Sequence, residues 1–205
     1  MNNAGVVQDG KLITELTSED VNQCVVPSHS SALSLNTHRT LNVNVIGQFN
    51  ILRAFLPAIV KEKQGHIITM SSVVGYMAGA LASDYCASKA ALISLHESLR
   101  YELDKHHKAP HIRTTLVCPG MVQTQMFSQA KNYTAASPLP RKLVGFLNPL
   151  LAPHTVVKAI IAAMDEQQSR DIFLPGWVQL APLGRAVPYF VRDLVHWVSK
   201  HYRSM

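Results

Sequence analysis

The stretch SSVVGYMAGALASDYCASKAAL, residues 71–92, decides how the rest of the chain is read. It begins where a short β-rich run, GHIITMSS (65–72), ends in small polar residues. It ends inside a segment where Ala87, Ala91, Leu95, Leu99 and Leu103 recur at helical spacing. The pattern predicts a strand, a loop of small apolar residues, and a helix from Asp84 to near Lys105. Working outward, HIRTTLVCPG (111–120) reads as a second strand closed by a turn, and RDIFLP (170–175) as a third. Between them a helix starts near His154 and reaches Glu166, carrying Val157, Ile160, Ile161 and Met164. An apolar helix with Phe190, Leu194 and Trp197 is expected over 186–202. Strands and helices alternate, which predicts an α/β protein with a parallel sheet.

At 205 residues the chain is expected to form one domain with a core of its own. An apolar share of 47% against a charged share of 16% excludes disorder and points to a well-buried or lipid-facing protein. The net charge of +6 suits an anionic ligand or an acidic membrane surface. The basic residues are scattered, without a dense run or interleaved aromatics, so nucleic acid is not the expected partner. Cys24, Cys86 and Cys118 form no CxxC pair and read as reduced thiols of an intracellular protein. No basic and apolar leader opens the sequence, so secretion is not expected. The uncharged runs 143–157 and 172–184 contain proline and fall short of the ~20 residues a spanning helix needs. No transmembrane segment is expected, although either run could lie in a membrane surface. His106, His107 and His111 straddle a helix end and a strand start without an acidic or cysteine partner, so no metal site is expected.

The segment 17–63 is irregular. TSED (17–20) has the form of a helix start, with Thr17 as cap and Asp20 three residues on. The chain then runs into CVVPSHSSALSLNTHR (24–39), rich in Ser and His and broken by Pro27. Helical spacing resumes in TLNVNVIGQFNILRAFLPAIV (40–60). Removing residues 24–39 restores the period: Val21 is then followed by Leu41, Val45 and Phe49 at steps of four, and Leu52 at a step of three. Residues 24–39 therefore read as an insertion in one helix. Sixteen codons would keep the frame of a retained intron; the alternative is a surface loop between two helices.

Tyr85 and Lys89 stand four apart on the expected helix and so project side by side. A phenol ordinarily titrates near pH ~10 and moves protons poorly at neutral pH. An ammonium at ~5 Å in an effective dielectric of ~20 attracts the phenolate by roughly 3 kcal/mol, enough to lower the phenol by about two pK units before desolvation. Ser72, at the end of a strand, could bring a hydroxyl to the same point and donate to a carbonyl oxygen as negative charge grows there. A Tyr and a Lys at this spacing are common on helices. The conjunction with a strand-ending Ser, a small-residue loop and a following strand that ends CPG is not.

At these residues the chain resembles the short-chain dehydrogenase/reductase family. The tyrosine-x-x-x-lysine motif stands as YCASK (85–89), with the family serine thirteen residues earlier at Ser72. VNVIG (43–47) matches the VNxxG segment and supplies Asn44, NNAG is residues 2–5, and PGxVxT is Pro119, Gly120, Val122 and Thr124. The motifs follow the family order over nearly the whole chain. The resemblance implies an oxidoreductase dependent on NAD or NADP. Tyr85 would exchange a proton with the substrate oxygen, Lys89 would lower the phenol pKa and hold the nicotinamide ribose, and Ser72 would orient the carbonyl. Asn44 would hold a water of the proton relay. Asn3, Ala4 and Gly5 would lie near the adenosine, and Val122 and Thr124 would meet the nicotinamide amide.

The sequence departs from the family at its start. The family opens with a strand, a TGxxxGxG turn and a helix that receives the pyrophosphate. No such turn occurs here, and NNAG, which follows the fourth strand in the family, stands at residues 2–5. The expected architecture is thus a single incomplete Rossmann-like domain, 1–205, lacking the N-terminal strands. A strand at 65–71 would lack its inner neighbour, leaving an open hydrogen-bonding edge, and the chain alone is expected to bind dinucleotide weakly. Two readings stay open: an enzyme, or a non-catalytic fragment that associates through helices 40–63 and 84–106, a frequent dimer interface in the family.

After Thr124, where the family forms its substrate lid, the sequence is apolar, with Leu143, Phe146, Leu147, Leu150 and Leu151 clustered. The segment from Trp177 to Trp197 mixes aromatics with Arg185, Arg192, Lys200 and Arg203. Ordinary core packing accounts for this composition. So does a lipophilic substrate that enters from a membrane surface. The pattern looks like the branch of retinol dehydrogenases and the membrane- or lipid-droplet-associated 17β-hydroxysteroid dehydrogenases. It implies a retinoid-, steroid- or fatty-type substrate, a dimer in the full-length form, and a place in the cytoplasm or peripherally on endoplasmic reticulum or lipid droplets.

Overall fold

The computed structural model describes residues 39–78, 82–124, 149–188 and 190. The expected Thr17 cap, most of the 24–39 insertion, Asn3, Ala4 and Gly5, the apolar residues Leu143, Phe146 and Leu147, and Leu194 and Trp197 lie outside them. Three parallel strands form the sheet in the order β1 (Gly65–Met70), β2 (Ile112–Pro119), β3 (Arg170–Leu174). Gly65 is paired with Ile112 and Met70 with Val117, while Thr115 is paired with Arg170 and Pro119 with Leu174. All three strands therefore end on the same side. Among the described residues β1 pairs with β2 alone. This is the α/β architecture of a partial Rossmann-like sheet.

Among the described residues three α-helices cover it. α1 (Arg39–Glu62) precedes β1, α2 (Ser83–Lys105) links β1 to β2, and α3 (Pro153–Asp165) leads into β3. Side chains alternate along a strand, so β2 serves both faces. Ile112 joins Ile67 of β1, Leu52 and Leu56 of α1, and Leu92, Leu95, Leu99 and Leu103 of α2 in one core cluster. Val117 points the other way, to Val156 and Ala163 of α3 and Ile172 of β3. A strand buried on both faces needs the near-continuous apolar run that IRTTLVCP provides, and seven of its eight residues are buried. Two polar pairs cross this core: His96 Nδ1 lies 3.0 Å from the Thr69 hydroxyl, and His66 Nε2 lies 2.7 Å from that of Thr115.

The helix faces agree with the sequence in part. On α2 the expected Leu95, Leu99 and Leu103 are buried, joined by Ser88 and Leu92, while Ala87 is exposed and Ala91 half-buried. On α3 the buried residues are Val156 and Ala163; Val157, Ile161 and Met164 are exposed, and Ile160 packs at the margin. A small residue at 163 lets the helix approach the sheet closely, which displaces the larger side chains outward. Arg39, counted in the insertion, is the first helical residue of α1. α1 is also long and apolar enough to cross a membrane by length and composition, which the uncharged runs at 143–157 and 172–184 had not suggested. Here Leu52 and Leu56 seat it on the sheet.

Two local features were not read in the sequence. Residues Asn42–Ile46 form a π turn in which the Gly47 N–H reaches the Asn42 carbonyl, a widening frequent at functional sites. After β3 the chain forms a ten-residue 3₁₀ helix, Gly176–Arg185, with Val178 and Ala181 buried.

Candidate active site

Ser72 closes β1 in an extended conformation and caps the 3₁₀ turn Val73–Gly75. Its hydroxyl accepts from the Val74 N–H at 3.5 Å and donates to the Pro119 carbonyl at 3.2 Å. It stands near enough to the phenol of Tyr85, in the first turn of α2, to pull that phenol's pKa down. The residue before it, Ser71, takes its backbone N–H to Val117 of β2 and its hydroxyl to the Lys89 carbonyl, both at 2.8 Å. Lys89 answers by donating from Nζ to the Met70 carbonyl at 3.1 Å. One turn of α2 is thereby stapled to the last residue of β1 and the residue after it. Nζ lies 5.6 Å from the Tyr85 ring centroid. The structure thus brings together Ser72, Tyr85, Lys89 and Pro119 where the strands end, the position at which open parallel sheets bind ligands.

Asn44 joins by an indirect route. From the π turn of α1, its Nδ2 donates to the Ser88 hydroxyl at 3.0 Å, which donates to the Tyr85 carbonyl at 2.7 Å. The side chain thus grips the backbone of the Tyr85 turn. Thr40 adds a second tie between the two helix starts, donating to Asp84 at 2.8 Å. Pro119, the last residue of β2, is buried, and the Gly120 N–H bonds to the Leu174 carbonyl of β3 at 2.7 Å. Val122 bridges to Leu151, and Thr124 is exposed, its hydroxyl 3.5 Å from the Val122 carbonyl. These two stand on the extension beyond β2.

The expected depression of the Tyr85 phenol by Lys89 is not what the geometry produces. Burial pushes the phenol pKa up; the Ser72 hydroxyl pulls it down by less, and Cys86 adds to the rise. Burial also lowers the Lys89 ammonium, against a raising contribution from Cys118. The Lys89 ammonium is aimed at the Met70 carbonyl and is itself desolvated, so its attraction for a phenolate loses to the cost of burying that charge. At neutral pH Tyr85 is a protonated acid.

Sequence reasoning missed Gly75, Ser88 and the Ser71 contact. Gly75 is buried, and a Cβ on it would stand 2.6 Å from Ile93 Cδ1 and 2.9 Å from the Lys89 carbonyl oxygen. Only a glycine lets the turn after Ser72 lie flat on α2. Its signal was present as the one glycine between the serine and the tyrosine's helix that falls in VVGY, but nothing local says what it must face. Among the described residues no group of three or more His, Cys, Asp or Glu is placed to hold a metal.

Dinucleotide fits part of this site. An ammonium has three protons, and the Met70 carbonyl accounts for one, which leaves donors suited to ribose hydroxyls. A phosphate-cradling glycine turn is not present in the sequence.

Comparison with known proteins bears on the same residues. The family model described as short chain dehydrogenase matches residues 1–134. An uncharacterized oxidoreductase of Saccharomyces cerevisiae is 29% identical over 208 residues, covering 100% of this chain and 58% of that protein. Retinol dehydrogenase 10 of Xenopus tropicalis is 34% identical over 167 residues, covering 82% of this chain and 42% of that protein. The chain thus spans about half the length of these relatives. A short chain dehydrogenase from Burkholderia cenocepacia, solved in complex with NADP, superposes with a TM-score of 0.56 at 24% identity, over 90% of this chain and 76% of that one. At that identity the likeness speaks for the fold.

The Gly75 contact yields a prediction. Gly75→Ala must lift the turn off α2 by moving backbone, not a flexible side-chain tip, and is expected to destabilise the protein by about 1–3 kcal/mol. Urea unfolding measures this, and an unchanged midpoint would contradict the packing.

Proposed function

Because the chain belongs to the short-chain dehydrogenase family, we propose that it carries the proton-transfer machinery of an NAD- or NADP-dependent oxidoreductase that interconverts a lipophilic alcohol and its carbonyl compound. The observation that carries this reading is the convergence of Ser72, Tyr85 and Lys89, with the Lys89 ammonium 5.6 Å from the Tyr85 ring centroid, at the ends of β1 and β2. The name of the Xenopus relative supports a retinoid-like substrate, with steroid or fatty types of the same apolar character. Exposed Val157, Ile161, Trp177, Leu180 and Leu183 support entry from a membrane surface such as endoplasmic reticulum or a lipid droplet.

Bound NAD or NADP supplies or takes up the hydride. The chain's own residues manage the proton and the carbonyl oxygen. Tyr85, kept protonated by burial, gives its phenolic proton to the oxygen of a carbonyl substrate. Ser72 would turn its single O–H from the Pro119 carbonyl to that oxygen as its charge grows. Lys89 spends one donor on Met70 and would hold the ribose hydroxyls with the others. Asn44, through Ser88, steadies the turn that bears Tyr85. Asn3, Ala4 and Gly5 would serve the adenosine half, and Pro119, Gly120, Val122 and Thr124 the nicotinamide half. Reduction needs the protonated phenol, whose pKa is raised, so its rate holds through neutral pH and falls only as pH passes that pKa. Oxidation needs the phenolate and rises with pH over the same range.

A second reading follows from the absence of a TGxxxGxG turn in the sequence and from the open edge of β1 among the described residues. In it the chain, one incomplete Rossmann-like domain, acts as a non-catalytic partner. Both readings use the outward face of α1, where Val43, Ile51 and Phe55 recur at multiples of four and are exposed. That stripe suits pairing with a second copy.

Three measurements test this. Tyr85→Phe should reduce turnover of a retinaldehyde with NADH or NADPH by about 10²-fold or more; turnover at the unmodified level would defeat the assignment. Titration by nicotinamide fluorescence separates the two readings: tight binding supports the enzyme, and no binding supports the partner. Sedimentation equilibrium should find a dimer that Phe55→Glu converts to monomer, and a monomeric parent chain would remove the pairing.

A further inference from the structure

The turn that follows Ser72 is held from two sides. Toward α2, Gly75 has no room: its would-be Cβ meets Ile93 and the Lys89 carbonyl. From the other side comes Arg185, the last residue of the 3₁₀ helix Gly176–Arg185, and 110 positions away in sequence. Its Nη2 donates to the Gly75 carbonyl. Its guanidinium carbon lies 5.7 Å from the Tyr76 ring centroid, a cation over a π face. Tyr76 in turn packs on Phe173 of β3, ring centroids 5.9 Å apart. The helix that presents Arg185 is anchored by buried Val178 and Ala181, so the guanidinium is delivered from a fixed base.

The turn is short enough to transmit that grip. The Gly75 N–H bonds to the Ser72 carbonyl, and the N–H groups of Tyr76 and Met77 bond to the Val73 carbonyl, each at 3.0 Å. A displacement of Gly75 therefore displaces Ser72. We propose that Arg185 is a positioning residue: by clamping the Gly75 carbonyl and the Tyr76 ring it holds the turn that carries Ser72 in place against the turn of α2 that carries Tyr85 and Lys89. The inference rests on the oxidoreductase reading above, and it gives the segment after β3 a role in the reaction without contact with substrate. Arg185 belongs to none of the sequence motifs. A planar fork that can donate and stack at once is what the two contacts require, and lysine supplies only the first.

The test compares the full chain with its Arg185→Ala and Arg185→Lys variants, with Tyr85→Phe alongside. In Arg185→Ala, hydrogen exchange should quicken at the amides of Gly75, Tyr76 and Met77 and stay unchanged in β2. Carbonyl reduction should fall about tenfold in kcat, because small misplacements at a reacting centre are costly, while the KM for the dinucleotide stays within about twofold. Arg185→Lys should recover part of the loss, as a donor without the stacked plane. Unchanged exchange in the turn overturns the proposal. So does faster exchange with unchanged kcat, which would make the clamp structural only. If Tyr85→Phe keeps full turnover, the oxidoreductase reading falls and takes the catalytic role of Arg185 with it. If Tyr85→Phe is inactive while Arg185→Ala matches the parent chain in both measurements, this inference alone fails.

Discussion

The structure depends on the double bond between the end of β1 and a single turn of α2. The Lys89 ammonium takes the Met70 carbonyl, and the Ser71 hydroxyl takes the Lys89 carbonyl. A strand that ends at the edge of its pairing leaves polar groups to be satisfied, and here the helix satisfies them with both its side chain and its backbone. Because Tyr85 precedes Lys89 by one turn and Ser72 follows Ser71, this staple also sets the distance between the phenol and the serine hydroxyl. The cross-sheet bonds from Ser71 to Val117 and from Ser72 to Pro119 then tie the same point to β2.

Burial decides the chemistry of that point. Tyr85 and Lys89 are both partly withdrawn from water, and the withdrawal favours the neutral form of each. Their mutual attraction would favour the charged pair, but the ammonium donates to the Met70 carbonyl and is itself desolvated. The outcome is a protonated phenol near a serine hydroxyl: an arrangement that gives a proton away more readily than it takes one.

Around it, long-range contacts act as braces. Asn44 reaches the Tyr85 backbone through Ser88, from a π turn whose wider coil distinguishes it from the rest of α1. Arg185 braces the opposite flank through Gly75 and Tyr76. Neither brace needs to meet a substrate. Each ties down a backbone turn that carries, or adjoins, one of the site residues.

Much of this was legible in the residues. The three strands, the helices at 83–105 and 153–165, and the grouping of Ser72, Tyr85 and Lys89 follow from alternation, helical period and a four-residue step, all local properties of the chain. On α2 the expected Leu95, Leu99 and Leu103 are buried and only its first turn was misplaced, whereas the buried face of α3 was read about one residue off, because periodicity marks an apolar stripe but not which of its members is small enough to touch the sheet. The direction of the Tyr85 shift was misread for a related reason: a spacing of four brings two groups near each other and says nothing of how much water surrounds them. The sequence by itself determined the order of elements and the residue types at the site. Only the tertiary structure decided which backbone atoms Lys89 and Ser71 engage, why position 75 must be glycine, and that Arg185 returns to the turn after Ser72, since those depend on desolvation and on contacts between segments as many as 110 residues apart.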